Sequence, residues 1–160
     1  MGRVLITGMS GTGKSSVIEE LARRGFPAID TDSDEWCEWV AEPGTGEPDW
    51  VWREDRMGDL LTRSHEPALF VSGCKSNQGK FYDRFEHVVL LSAPLEVMLA
   101  RIARRTNNPY GKSEDEWRQI VHNVRFVEPL LRRGATLELD TSALTVPEVA
   151  DRLVTLAQSR

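Results

Sequence analysis

Eight residues near the start of the chain, Gly8-Met9-Ser10-Gly11-Thr12-Gly13-Lys14-Ser15, follow the spacing G-x-x-x-x-G-K-S. That spacing suits the holding of a row of phosphates. Glycines let backbone N–H groups converge on phosphate oxygens, and a helix beginning there adds free N–H groups and the positive end of its dipole. Lys14 is placed to reach the outer phosphates and the Ser15 hydroxyl to ligate Mg²⁺. Gly8, Ser10, Gly11, Thr12, Gly13, Lys14, Ser15 and Ser16 are the expected cradle. A second set of chemical groups closes the next apolar run, Asp30-Thr31-Asp32. One carboxylate there can face a metal ion, and another can take the proton of an acceptor hydroxyl and so make it a nucleophile. A solvated turn or helix cap is the plainer alternative for the same triplet.

Basic residues supply the rest. Arg53 and Arg56 lie in Trp52-Arg53-Glu54-Asp55-Arg56, Lys75 in Ser72-Gly73-Cys74-Lys75, and Arg125 further along. A guanidinium fork matches carboxylate or phosphate bidentately, although exposed basic side chains are the bland reading of Arg53, Arg56 and Lys75. Arg101, Arg104 and Arg105 end a helix ahead of a polar loop, where cations either face phosphates or complement the helix dipole. His65, His87 and His122 have no metal-ligand spacing. Cys74 has no His or Asp pattern that would make it a nucleophile.

The elements that must position these groups follow from periodicity. Val4 to Ile6, Phe26 to Ile29, Ala68 to Val71, Val88 to Leu91 and Thr136 to Leu139 read as five short strands, apolar on both faces. Between them lie amphipathic helices: Ser15 to Arg24, ended by Gly25; Pro94 to Arg105; and one opened by a Ser113–Glu116 capping box, with Trp117, Ile120, Val121 and Val124 inward and an interruption at Pro129. A last helix, capped by Thr145 and Glu148, carries the stripe Val146, Val149, Ala150 and Leu153. This alternation predicts a three-layer α/β domain around a five-stranded parallel sheet. Residues 33–67 interrupt it. They hold four of the five tryptophans, and Trp36 and Trp39 are expected on one helix face, as core or as a pocket wall.

Composition bounds what remains. The chain has 160 residues, 40% of them hydrophobic, and a net charge of −5. That suits one domain, spanning 1–160. No apolar run approaches the length of a membrane span, and the opening residues lack a leader pattern. With only Cys37 and Cys74 a disulfide framework is excluded. A cytoplasmic protein, a monomer or homodimer without membrane or nucleic-acid partners, is the expectation, since nucleic-acid binding needs a basic surface.

With the phosphate loop, GFPAIDTD, WREDR, the arginines before TNNPYGK, and ELDTSALTVPEVADRL on view, the chain resembles the small P-loop kinases of the shikimate, gluconate and nucleoside-monophosphate (adenylate-kinase-like) group over nearly its whole length. The triplet Asp30-Thr31-Asp32 matches shikimate kinases. VSGCKSNQGKFYDRF is similar to a gluconate-kinase stretch in which Ser72 and Lys75 match, while the three glycines that shikimate kinases carry there are missing. The resemblance implies a P-loop domain with a helical acceptor insertion at about 33–67 and a short lid at about 105–113. It implies ATP and Mg²⁺, with Ser15 and Asp30 toward the metal and Arg101 and Arg104 at the nucleotide. Catalytic roles fall to Lys14, Asp32 and Arg105. The acceptor side comprises Asp32, Arg53, Arg56, Gly73, Lys75 and Arg125, and residues 141–146 pass near the base. The carboxylates of Asp30 and Asp32 are expected on opposite faces of an extended backbone. The implied reaction is transfer of the γ-phosphoryl group of ATP to a small hydroxylated metabolite. The alternatives are a nucleoside-monophosphate kinase, a polynucleotide 5′-kinase and a non-catalytic nucleotide-binding regulator.

Overall fold

A computed structural model describes residues 2–106 and 108–159. In chain order it contains β1 (Gly2–Thr7), α1 (Lys14–Arg23), β2 (Ala28–Asp30), β3 (Cys37–Ala41), β4 (Pro48–Trp52), α2 (Glu54–Thr62), β5 (Ala68–Ser72), a 3₁₀ helix (Gln78–Arg84), β6 (His87–Ser92), α3 (Leu95–Arg104), α4 (Glu114–Phe126), α5 (Glu128–Gly134), β7 (Leu137–Asp140) and α6 (Val146–Gln158). Five strands form one sheet in the order β2-β5-β1-β6-β7, and every pairing in it is parallel. The central strands are apolar at successive positions because helices cover both faces. Val4, Ile6 and Phe70 pack with Val17, Leu21, Val149, Ala150 and Leu153 of α1 and α6. Leu5, Leu69 and Val71 turn the other way, onto Met57, Leu60 and Leu61 of α2 and onto Trp52, Phe81 and Phe85.

The expected helix ends hold where local chemistry defines them. Beyond α1, Gly25 takes φ 92°, and Phe26 N bonds back to Leu21 O at 3.1 Å, a closure that a left-handed residue permits. Thr145 and Glu148 form a reciprocal capping box on α6. Ser113 accepts from Glu116 N, but Glu116 Oε1 takes its bond from Gly111 N at 3.1 Å, so only half of the expected box forms and the carboxylate ties the preceding loop to α4. Trp117 corrects the inward stripe: it is 46% exposed, whereas Ile120 is buried. It walls a cavity of about 580 Å³ lined also by Leu99, Ala103 and Lys112. Helix α4 stops before Pro129, and α5 restarts with that proline in its first turn.

The insertion at 33–67 corrects the expectation of a helical acceptor region. Its first half is an antiparallel β3–β4 hairpin, with Cys37 opposite Trp52 and Trp39 opposite Trp50, and only its second half, α2, is helical. The shared helix face expected for Trp36 and Trp39 is absent: Trp36 lies in a turn and Trp39 on a strand. The hairpin's logic is period two, Cys37-x-Trp39 and Trp50-x-Trp52, on either side of Pro43-Gly44-Thr45-Gly46. Cys37 and Trp52 are fully buried at the root. Trp39 and Trp50 continue the same face outward, with ring centroids 5.1 Å apart and Trp39 67% exposed. The side chain of Asn77 completes the root. Its Oδ1 accepts from Trp52 N at 3.1 Å and its Nδ2 donates to Trp52 O at 3.0 Å, as a neighbouring strand would. Cys37 and Cys74 are free thiols, and among the described residues no helix is long and apolar enough to cross a membrane.

Candidate active site

The phosphate loop runs from the end of β1 into α1, at the carboxyl edge of the sheet where ligands of open α/β folds bind. Gly8, Gly11 and Gly13 all have positive φ, at 152°, 82° and 98°, conformations that only glycine adopts without strain. Thr12 is buried and its hydroxyl donates to Met9 O at 2.8 Å. Lys14 Nζ curls over the loop, donating to Gly8 O at 2.6 Å and Met9 O at 3.0 Å. Burial lowers the pKa of this ammonium below the ordinary lysine range, while the charges of Cys74, Asp30 and Asp32 oppose that shift. Ser10 lies in the loop, and Ser16 is exposed in the first turn of α1.

Strand β2 brings the aspartates to the same edge. Ser15 Oγ donates to Asp30 Oδ2 at 2.9 Å, so the two expected metal-side groups are already adjacent. A hydroxyl and a carboxylate are hard oxygen donors, which suits Mg²⁺; that ion commonly takes one or two carboxylates, its other positions going to water and substrate phosphates. Asp30 Oδ1 accepts from Asp32 N at 3.0 Å, and Asp32 Oδ1 pairs with Lys75 Nζ at 3.0 Å. The expected opposite facing of the two carboxylates is corrected. Residues two apart on an extended chain share a face; Asp30 and Asp32 are both exposed, and the residue between them, Thr31, points inward and is buried. Their partners, Ser15 for one and Lys75 for the other, are what distinguish them.

Thr31 anchors this turn. Its hydroxyl donates to Ser72 O at 2.7 Å and accepts from Trp52 Nε1 at 2.8 Å, and Cys37 Sγ contacts Thr31 O at 3.0 Å. Gly73, expected at the acceptor, is buried against this cluster instead. A Cβ there would lie 2.5 Å from Thr31 Oγ1 and 3.2 Å from the Trp52 indole. Gly73→Ala is therefore expected to destabilise the fold by about 2 kcal/mol, as overpacking does, read as a lower denaturant midpoint. An unchanged midpoint would show that the indole yields freely.

The arginines divide by their partners. Arg53 Nε donates to Asp34 O at 3.0 Å and its fork lies 3.7 Å from Glu38; Arg56 donates to Glu35 O. Both hold the turn after Asp32. Arg101 donates to Gly11 O at 3.2 Å and to both the hydroxyl and the carbonyl of Thr141, at 2.8 and 2.7 Å. Thr141 Oγ1 in turn donates to Thr12 O at 2.8 Å, so the loop after β7 is stitched to the phosphate loop. Arg104 bonds Ala100 O within its own helix. Arg105 donates to Asn108 O and Tyr110 O, and burial lowers its pKa; it ties down the loop that follows α3. Of the expected lid, Asn107 lies outside the described residues. Arg125 is exposed on α4, 5.3 Å from the centroid of the Phe126 ring. Sequence reasoning missed Asn77 and Gln78, and it placed Thr141 near the base without its bond to the phosphate loop. Their only signal is polarity beside apolar strands, which does not separate a buried connector from a surface residue.

Comparisons with known proteins agree with the fold. The AAA domain family matches residues 4–122. A shikimate kinase from Halorhodospira halophila is 29% identical over 168 residues, covering 99% of this chain and 94% of its own. Among solved structures, a shikimate kinase from Acinetobacter baumannii in complex with shikimate superposes with TM-score 0.66 at 21% identity, covering 98% of this chain and 92% of its own. A gluconokinase from Sinorhizobium meliloti 1021 gives TM-score 0.55, also at 21% identity, covering 98% and 94%. With its phosphate loop, its five-stranded parallel sheet and this match over most of its length, the chain belongs to the AAA domain family of P-loop proteins.

Proposed function

We propose that the protein is a small-molecule kinase that moves the γ-phosphoryl group of ATP, with Mg²⁺, to a hydroxyl of a small acceptor. The observation that carries this reading is the turn at Asp30–Asp32, where one carboxylate meets Ser15 beside Lys14 and the next meets Lys75. A phosphate cradle and a second polar site thus share one sheet edge. The similarity to a shikimate kinase across the full chain supports the same class of chemistry. Such transfer relies on positioning and charge stabilisation. Lys14 leaves the carbonyls of Gly8 and Met9 to face phosphate oxygens, and the loop amides bind the others. Ser15 and Asp30 would hold the metal ion, which neutralises phosphate charge when bound. Asp32 accepts the acceptor's hydroxyl proton at its carboxylate. The lid carrying Tyr110 and Gly111, organised by Arg105, excludes water that would otherwise take the phosphoryl group. ATP as substrate and two free thiols fit a cytoplasmic setting.

Charge narrows the acceptor. Residues 33–67 hold ten acidic side chains against three arginines, whereas basic residues outnumber acidic ones by 17 to 15 elsewhere. Two of those arginines are spent on the carbonyls of Asp34 and Glu35. A field of this sign lowers the local concentration of anions. It favours a neutral or amine-bearing hydroxyl compound over a carboxylate, a nucleoside monophosphate or a polynucleotide end. An ATP-consumption screen across sugar alcohols, amino sugars, hydroxylated antibiotics and nucleosides, run beside shikimate, gluconate and nucleoside monophosphates, tests this. At least one compound of the first group is expected to turn over, with kcat/KM about tenfold or more above any of the second, a difference of about 1.4 kcal/mol. Preference for an anionic acceptor would refute the charge argument, and silence across the whole panel would speak against the kinase.

A further inference from the structure

Gln78 is a buried polar residue to which neither the phosphate cradle nor the acceptor chemistry assigns a part. Its side chain is 2% exposed, and every polar group on it is spent. Nε2 donates to Thr7 Oγ1 at 3.0 Å and to Tyr82 OH at 2.9 Å, and Oε1 accepts from Lys75 N at 2.8 Å. Thr7 is the last residue of β1, fully buried and directly ahead of Gly8. Lys75 is the residue whose ammonium holds Asp32. One rigid amide thus spans the root of the phosphate loop and the root of the residue that grips the acceptor-side carboxylate.

We infer that Gln78 is a positioning residue that sets the place of Lys75, and through it Asp32, relative to the phosphate loop. Three features carry this. The amide is the only side chain among the described residues seen to bond both Thr7 and the Lys75 backbone. Tyr82 fixes its orientation, because its hydroxyl takes the N–H that Thr7 leaves. A buried amide of this kind is costly unless each group is paired, so its geometry is tightly held. Lys75 leans on the same turn, since Gln78 N also donates to Lys75 O at 3.2 Å. In-line transfer is sensitive to displacements of about 1 Å between donor and acceptor. A fixed spacer between their two holders therefore acts on the rate and leaves nucleotide binding alone. This rests on the phosphotransferase reading for its catalytic consequence, though not for the coupling itself.

The test uses Gln78→Met, which keeps the length and removes all three side-chain bonds. Lys75, with 12% of its side chain exposed, is labelled with acetic anhydride and quantified by peptide mass spectrometry. Its labelling relative to Lys80, whose side chain is 65% exposed, is expected to rise several-fold in the variant, while the affinity for MgADP by calorimetry stays unchanged. With an acceptor from the screen, kcat is expected to fall about tenfold or more. In a Lys75→Met background the same change should add almost nothing, as for two residues acting through one link. Unaltered Lys75 labelling, or a loss of MgADP affinity matching the loss of rate, would reduce Gln78 to a packing residue of the phosphate loop and overturn the inference. Should Gln78→Met fail to fold, Tyr82→Phe frees one N–H of the amide and leaves its bonds to Thr7 and Lys75. It is expected to raise Lys75 labelling in the same direction, and no rise would count equally against the link. Wild-type protein that binds no MgADP would sink the kinase reading, while the labelling arm still decides the role of Gln78.

Discussion

Turnover of ATP by a Lys14→Ala variant is expected to fall by about 10³-fold, the scale of losing a charge aimed at a developing anion, with the fold retained. The size of the effect follows from how the other cations are engaged. Lys75 is held by Asp32, Arg101 by Gly11 and Thr141, and Arg105 by the carbonyls of Asn108 and Tyr110. Lys14 alone of these has only phosphate-loop carbonyls as its hydrogen-bond partners, and a nucleotide can replace those. Fold retention follows because the side chain belongs to neither of the apolar clusters that cover the two faces of the sheet. Circular dichroism and a cooperative melt establish that the variant is folded, and steady-state ATP consumption then reads the site. A folded variant with wild-type turnover would remove the phosphate-loop lysine from the chemistry.

The second large effect separates the aspartates. Asp32→Asn preserves shape but removes the basic oxygen, so kcat is expected to drop by about 10²-fold or more, the range for loss of a general base. The Mg²⁺ dependence should hold. Asp30→Asn should do the reverse, moving the Mg²⁺ curve to higher concentration, because Asp30 is the carboxylate that meets Ser15. An asparagine oxygen at position 30 can still accept from Asp32 N, which keeps the turn and isolates the metal effect. Metal titrations of turnover in the two variants decide between these roles. Small and equal effects on both curves would leave the pair as a capped turn, with Asp34 the next candidate for the base.

How much of this was legible depends on what each residue touches. The phosphate loop could be read directly because close backbone approach to phosphates dictates Gly8, Gly13, Lys14 and Ser15 at fixed spacing. The last helix could be read because Thr145 and Glu148 satisfy each other's backbone within one turn. The hairpin is hidden in the sequence because Trp36 and Trp39 are also three apart, a helical interval, while the period-two signal is only five residues long on each side of the turn. The link from Lys75 to Asp32 joins residues 43 apart, and no local pattern encodes such a meeting. Arg101 reads as a ligand-facing cation in sequence, yet its fork matches two carbonyls and a hydroxyl of the protein itself. Donor geometry suited to phosphate is equally suited to backbone oxygens, and only the fold says which is near.

The way the hairpin is fastened bears on how such a protein can change over generations. Its root is held by Asn77 acting in place of a strand and by Trp52 on Thr31, whereas residues 39–48 are exposed throughout. Substitutions at the tip therefore leave the phosphate loop and the sheet undisturbed, and substitutions at the root do not. Tolerance to mutation is thus concentrated in one half of the insertion. Lineages of this chain can vary that surface, Trp39 included, while inheriting the phosphate site and the core beneath it intact.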